Sequence, residues 1–280
     1  VVVTPGAIAA LFGTVLALCE PGDEVLVSDP SWPNYRMIAD LLNLRLRSFP
    51  LDPAAGMQPD PDMVRTMVGD RTKAIVLNTP SNPTGAVMEP DVARALLEVA
   101  ASTGTWVISD EVYDEMTFDG TQPSLASLGD RDSVVSIYSF SKTYAMTGWR
   151  VGYAAAPVDL APFLVKTQEP TNACVNAPAQ LAALAAVTGP QDCVVEMREA
   201  YRERRDETLA LLGSAGIPAF RPAGAFYLWV DIGASGMSDL EFAKHLLMER
   251  QVAVTPGSAF GPSGTTSVRV SLATDRDDLV

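Results

Sequence analysis

Short apolar runs rich in β-branched residues alternate with helical patterns through the first two-thirds of this chain, and that alternation restricts its architecture most. The strand runs are Glu24–Val27, Arg45–Phe49, Lys73–Leu77, Trp106–Ser109, Val134–Tyr138 and Val151–Ala155. Between or before them lie helical patterns at Ala7–Leu18, Tyr35–Leu42, Pro61–Val68 and Asp91–Ala101, the last preceded by Pro90, a residue suited to a helix start. This spacing predicts an α/β fold with a mostly parallel sheet flanked by helices. Two helices follow, Pro178–Val187 and Asp192–Leu212, then strands at Phe226–Val230, Val252–Val254 and Ser267–Leu272 with a helix at Asp239–Glu249. The expected organisation is a large domain over 1–190 and a smaller C-terminal α+β domain over 191–280.

Composition narrows the function. Of the 280 residues, 48% are hydrophobic and 19% charged, enough apolar material for a sizeable core. The formal net charge of −14 argues against a nucleic-acid partner, which needs a basic face, but leaves room for a small anion held by local positive charge. No apolar run approaches the roughly 18 residues of a membrane span, and no signal-peptide pattern is present, so no membrane partner is expected and the cytoplasm is the expected compartment. Cys19, Cys174 and Cys193 are odd in number and widely spaced, with no CxxC pair, which suggests neither a disulfide framework nor a zinc site. The single histidine, His245, sits inside a helical pattern, so serine–histidine chemistry and multi-histidine metal sites are nearly excluded. An enzyme built on this chain works with Lys, Asp, Tyr, Arg or a cofactor, and no metal is expected. The chain opens at Val1-Val2-Val3 within a strand pattern and stops at Leu279-Val280, and is expected to be a fragment at both ends.

Four strings stand at or after strand ends, where ligands bind in parallel sheets: Asn82-Pro83-Thr84-Gly85, Asp110-Glu111-Val112-Tyr113, Ser139-Phe140-Ser141-Lys142 and Gly148-Trp149-Arg150. Lys142 is one of four lysines and follows the apolar run Val134–Phe140. An apolar setting lowers a lysine pKa and frees the amine to attack a carbonyl. Taken alone, Lys142 reads more readily as a surface lysine just past a strand. Asp110 closes a buried strand, which is costly for an acid unless a cation or a helix start meets it. A protonated pyridine nitrogen is one such cation, and a capping role is the alternative. Tyr113 and Asn82 offer hydrogen bonds to a ring oxygen. Pro83 allows a cis or sharply turned bond after Asn82. Trp32 lies where an aromatic can stack on a flat ring, though a core or surface role is nearly as natural locally. Thr4-Pro5-Gly6-Ala7-Ile8 opens the first helix, and Gly6, Ala7 and Ile8 there, with Ser139, Ser141 and Arg150, describe a phosphate cradle.

A phosphate site, a lysine amine, an acid for a ring nitrogen and donors for a ring oxygen together describe pyridoxal 5′-phosphate. With Pro21-Gly22-Asp23-Glu24-Val25, Asn78-Thr79-Pro80-Ser81-Asn82-Pro83-Thr84-Gly85, Thr147-Gly148-Trp149-Arg150-Val151-Gly152 and Val268-Arg269-Val270-Ser271, the sequence resembles the pyridoxal-phosphate-dependent class I/II aminotransferases of fold type I from end to end. The resemblance implies a transaminase acting on an amino acid and a 2-oxo acid. It implies Lys142 as the Schiff-base lysine that also moves the substrate proton, and Asp110 as the partner of the pyridine nitrogen. Tyr113 and Asn82 would hold the ring oxygen, and Gly6, Ala7, Ser139 and Arg150 the phosphate. Trp32 would stack on the ring, and Arg269 would grip the substrate carboxylate. It also implies a homodimer, and family members carry a segment ahead of the position of Val1 that supplies dimer contacts and a tyrosine for the partner's phosphate. One dicarboxylate-specific subgroup places an arginine where this chain has Glu169-Pro170-Thr171-Asn172-Ala173, so specificity of that type is not supported. A C–S β-lyase on the same scaffold and the sensor domain of a MocR-type regulator are the alternatives.

Overall fold

The structure, a computed structural model, describes residues 1–279, so Val280, the last residue of the expected smaller domain, lies outside the described residues. Strands β1 (Val2–Thr4), β2 (Glu24–Asp29), β3 (Arg45–Asp52), β4 (Gln58–Pro59), β5 (Thr72–Asn78), β6 (Trp106–Asp110), β7 (Val134–Ser139) and β8 (Gly152–Ala155) form one sheet in the order β1-β8-β7-β6-β5-β2-β3-β4. The pairs joining β3, β2, β5, β6 and β7 are parallel; β8, β1 and β4 pair antiparallel. Strands β9 (Ala219–Phe220), β10 (Tyr227–Asp231), β11 (Thr255–Pro256) and β12 (Ser267–Ser271) make a second, antiparallel sheet in the order β11-β12-β10-β9. The helices are α1 (Ala7–Leu18), α2 (Asn34–Leu41), α3 (Pro61–Met67), α4 (Pro90–Thr103), α5 (Phe140–Thr143), α6 (Ala161–Asn172), α7 (Ala177–Thr188), α8 (Asp192–Ser214), α9 (Asp239–Arg250) and α10 (Arg276–Leu279).

The continuous apolar character of the central strands follows from burial on both faces. Val25, Val27 and Val76 pack with Leu11 and Val15 of α1, Ile38 of α2 and Leu164 of α6. Their sequence neighbours Leu26, Ile75 and Leu77 point the other way, against Val64 of α3 and Leu96, Leu97 and Val99 of α4. The smaller sheet has its own core, in which Leu228 and Val230 meet Tyr201, Leu209 and Leu212 of α8.

Local signals set the helix ends. The Asp60 side chain caps α3 by accepting from the amides of Asp62 and Met63, with Pro61 in the first turn. Ser238 and Glu241 form a reciprocal capping box on α9. Two expectations need correction. The second of the three expected C-terminal strands is Thr255–Pro256, at the edge of the smaller sheet, rather than Val252–Val254. Helix α9 ends in a left-handed residue, Gln251 (φ 58°), so 252–254 serve to leave the helix, and pairing begins at Thr255 opposite Arg269. Helix α6 was not expected, because Pro170 lies inside it and breaks the pattern.

The two sheets touch through backbone. Gly224 N donates to Gly85 O at 2.9 Å. Gly85 has φ 70°, and a Cβ there would fall 2.7 Å from the Gly224 carbonyl oxygen, so only glycine fits. A Cβ on Gly224 would fall 2.8 Å from Pro80 and from the Met116 carbonyl oxygen.

Candidate active site

Parallel register decides where the four strings meet. Asn78 at the end of β5 lies opposite Asp110 at the end of β6, and Asp110 lies opposite Ile137 of β7. The loops after these strands therefore leave the same edge of the sheet. They surround a cavity of about 450 Å³. Ala7, Ile8, Trp32, Asn82, Asp110, Tyr113, Ser139, Ser141, Lys142, Arg150 and Arg269 all line it. Gly6, the remaining residue expected in the site, is not part of the lining and stands just behind it.

One end of the cavity is positive. Helix α1 starts there with no side-chain cap and no acid in its first turn, so its amide dipoles face the cavity uncompensated. The Arg150 guanidinium lies against that start, donating to Thr147 O at 2.8 Å and to Pro5 O at 3.4 Å. Gly6 permits the approach: its φ is 85°, and a Cβ would fall 2.5 Å from Arg150 Nη2. Ser139 caps α5, its hydroxyl accepting from Ser141 N at 3.1 Å.

Asp110 is buried, and burial pushes its carboxyl up to about 6, opposed chiefly by the hydrogen bond from the Tyr35 hydroxyl. Oδ2 accepts from Tyr35 Oη at 2.6 Å, while Oδ1 is buried with no partner within the protein. An unpartnered oxygen on a buried acid is costly, and a cationic donor in the cavity would relieve it. Lys142 is half-buried on α5, with Nζ 5.6 Å from the centre of the Phe226 ring. Burial, then the charges of Arg150 and Arg269, lower its pKa, which raises the share of free amine.

The third group links the two sheets. Arg269 of β12 donates from Nη1 to Asn82 Oδ1 at 2.8 Å and from Nη2 to Thr255 Oγ1 at 3.3 Å. Its guanidinium lies 4.3 Å from the Tyr227 ring centre and 4.8 Å from that of Phe260, while its Nε is buried without a partner. The Asn82–Pro83 bond is cis, and Asn82 N donates to Asn78 Oδ1 at 2.7 Å. Tyr113 is buried, its hydroxyl 3.0 Å from that of Tyr227.

The sequence profile of the family described as aminotransferase class I and II matches residues 1–279. The chain belongs to the class I and II aminotransferases. Its activity is transamination, the movement of an amino group between an amino acid and a 2-oxo acid. Among curated relatives of this aminotransferase, an arginine–pyruvate transaminase of Pseudomonas aeruginosa is 38% identical over 285 residues, covering 100% of this chain and 72% of its own length. An aspartate/prephenate aminotransferase of Thermus thermophilus is 36% identical, covering 99% of this chain and 72% of its own. Among solved structures, the aromatic aminotransferase from Pyrococcus horikoshii superposes with a TM-score of 0.96 at 34% identity, covering 99% of this chain and 75% of its own.

Two residues lining the aminotransferase cavity, Asn78 and Tyr227, and one standing behind Asp110, Tyr35, carry no mark of a site in the sequence. In the sequence Tyr35 reads only as a helix start, Asn78 only as part of a string, and Tyr227 only as a strand residue. Asn78 donates from Nδ2 to Asp110 O at 2.9 Å while accepting from Asn82 N, so it ties two site loops together. Each acts through contacts distant in sequence, and the position of Tyr35 three residues after Trp32 was the one local signal available. Among the described residues, no group of three or more His, Cys, Asp or Glu side chains is arranged to hold a metal ion, and no helix is long and apolar enough to cross a membrane.

Proposed function

We propose that the cavity holds pyridoxal 5′-phosphate attached through Lys142, and that the chain uses it to exchange an amino group between an amino acid and a 2-oxo acid. The observation carrying this reading is the unpartnered Oδ1 of buried Asp110, in a cavity that also holds a half-buried lysine and an uncapped helix start with an arginine on it. These residues suit a flat ring bearing a basic nitrogen, an oxygen and a phosphate. When bound, the cofactor supplies an electron sink for the pair released as the substrate Cα proton leaves.

The chain's own residues would do the rest. Asp110 would hold a proton on the ring nitrogen through Oδ1. The amides of Ala7 and Ile8, the Ser139 hydroxyl and Arg150 would take the phosphate, with Gly6 giving Arg150 room. Tyr113 and Asn82 would donate to the ring oxygen; since Asn82 Oδ1 is engaged by Arg269, its Nδ2 is the free donor. Trp32 would cover the ring. Arg269 would take the substrate α-carboxylate, with Nε free to contribute. Lys142 Nζ, favoured as the free amine, would accept the Cα proton and return it.

The proposal includes a division of the chain near Gln191, with 191–280 as the smaller domain bringing Arg269 to the site, and a homodimer in the cytoplasm. The relatives' names span arginine, aspartate, prephenate and aromatic substrates, and no single amino acid is favoured here. No observation favours a C–S β-lyase or a MocR-type sensor.

The test is to load the protein with pyridoxal 5′-phosphate, reduce with borohydride and map the modified peptide, then assay an amino-acid panel with and without a 2-oxo acid. Label on Lys142 and turnover that needs the 2-oxo acid are expected. Label on another lysine, or pyruvate and thiol release without an acceptor, would overturn the reading.

A further inference from the structure

Tyr113 and Tyr227 stand on different sheets, 114 residues apart, with their hydroxyls 3.0 Å from each other. Both are buried, at 3% and 6% exposure, so water does not compete for this contact. Each phenol has one proton, and either can be the donor. If Tyr113 gives its proton to a ligand in the cavity, the bond between the two holds only when Tyr227 donates to the Tyr113 oxygen. Among the described residues, the Tyr227 hydroxyl has no other hydrogen-bond partner in the protein.

Tyr227 is also tightly fixed. It begins β10, paired with Ser271 of β12, and its ring carries the Arg269 guanidinium at 4.3 Å. The same ring meets Tyr113 edge-on at 5.8 Å, and Phe226 meets Tyr113 edge-on at 5.4 Å.

Resting on the cofactor reading above, we propose that Tyr227 is a positioning residue for Tyr113, its hydroxyl donating to the Tyr113 oxygen so that Tyr113 donates into the cavity, to the ring oxygen of pyridoxal 5′-phosphate. The bond does more than aim the phenol. A phenol that accepts a hydrogen bond becomes a stronger donor, so Tyr227 strengthens the contact it never makes itself. The titratable and charged groups facing the Tyr113 phenol are Tyr227, Asp110, Tyr35 and Arg269. Burial raises the Tyr113 pKa, so the phenol keeps the proton it must donate.

The test is a pH titration of the visible absorbance of the cofactor-loaded protein, wild type against Tyr227→Phe, Tyr113→Phe and the double variant. Donors that stabilise negative charge on the ring oxygen let the bound chromophore lose its proton at lower pH, so weakening them moves the midpoint up. Tyr227→Phe keeps the ring under Arg269 and should raise the midpoint by roughly half a pH unit. Tyr113→Phe should raise it further, and adding Tyr227→Phe to Tyr113→Phe should change nothing more. A wild-type midpoint in Tyr227→Phe, or an equal displacement by Tyr227→Phe in both backgrounds, would overturn this inference while leaving the cofactor reading intact. A wild-type protein that takes up no pyridoxal 5′-phosphate would overturn both.

Discussion

The Tyr35 hydroxyl donates a 2.6 Å hydrogen bond to Asp110 Oδ2. It thereby occupies one oxygen of a buried carboxylate and leaves the other, Oδ1, without a partner in the protein. The acid is oriented by α2, the helix that follows the loop carrying Trp32. The cavity-lining Trp32 and the acid-orienting Tyr35 thus come from one segment, with their rings edge to face at 5.7 Å.

Asp110→Asn should bind the cofactor but turn over slowly. The amide accepts no proton bond of comparable strength from a ring nitrogen, so transamination should fall on the order of 100- to 1,000-fold. Single-turnover kinetics of the loaded variant measure this, and near-normal rates would remove Asp110 from the proposed role.

Asp110 also predicts a pH dependence of stability for the cofactor-free protein. Its carboxyl sits at about 6 in the folded chain against an ordinary 3.8. The folded state therefore holds the proton more tightly than the unfolded state. The resulting stabilisation is fully present below pH 4 and is lost as pH rises through 6, by up to about 3 kcal/mol. Thermal unfolding between pH 4 and 7.5 should show this loss in the wild type and a smaller one in Asp110→Asn.

Lys142→Ala should abolish covalent attachment and transamination together, since Lys142 is the lysine that lines the cavity. Mass analysis after borohydride treatment should find free cofactor only.

Arg269→Ala should raise KM for both amino acid and oxo acid by roughly 30- to 1,000-fold, because a half-buried carboxylate pair loses its cationic partner. Cofactor affinity, measured by fluorescence titration, should change little by comparison.

Gly6→Ala should weaken cofactor binding by roughly ten-fold or more. A Cβ there collides with Arg150 Nη2 and is strained at φ 85°. Equilibrium dialysis of the cofactor against both proteins tests it.

Much of this was legible in the sequence because the informative residues sit where the pattern changes. Asp110 and Lys142 terminate or follow apolar strands, and the parallel sheet those strands predict brings their ends to one edge. Tyr227 carries no such mark. It reads as one more aromatic in a short strand, and its value lies in contacts to Tyr113 and Arg269 that only the placement of the smaller sheet creates. Asn78 lies inside a recognised string, yet its bond to the Asp110 backbone depends on strand register. Helix α6 was hidden by Pro170, and the strand at Thr255–Pro256 by the more β-prone Val252–Val254 beside it.

The backbone contact between Gly85 and Gly224 bears on attempts to build hybrids from this chain. Each glycine is held small by atoms contributed from outside its own loop, so the two positions form a matched pair rather than independent sites. A donor segment carrying the smaller sheet would need glycine at 224, whatever its similarity elsewhere. Recombination points placed between 85 and 224 without regard to this pair should give poorly folded products. Points that transfer both positions from one parent should be tolerated.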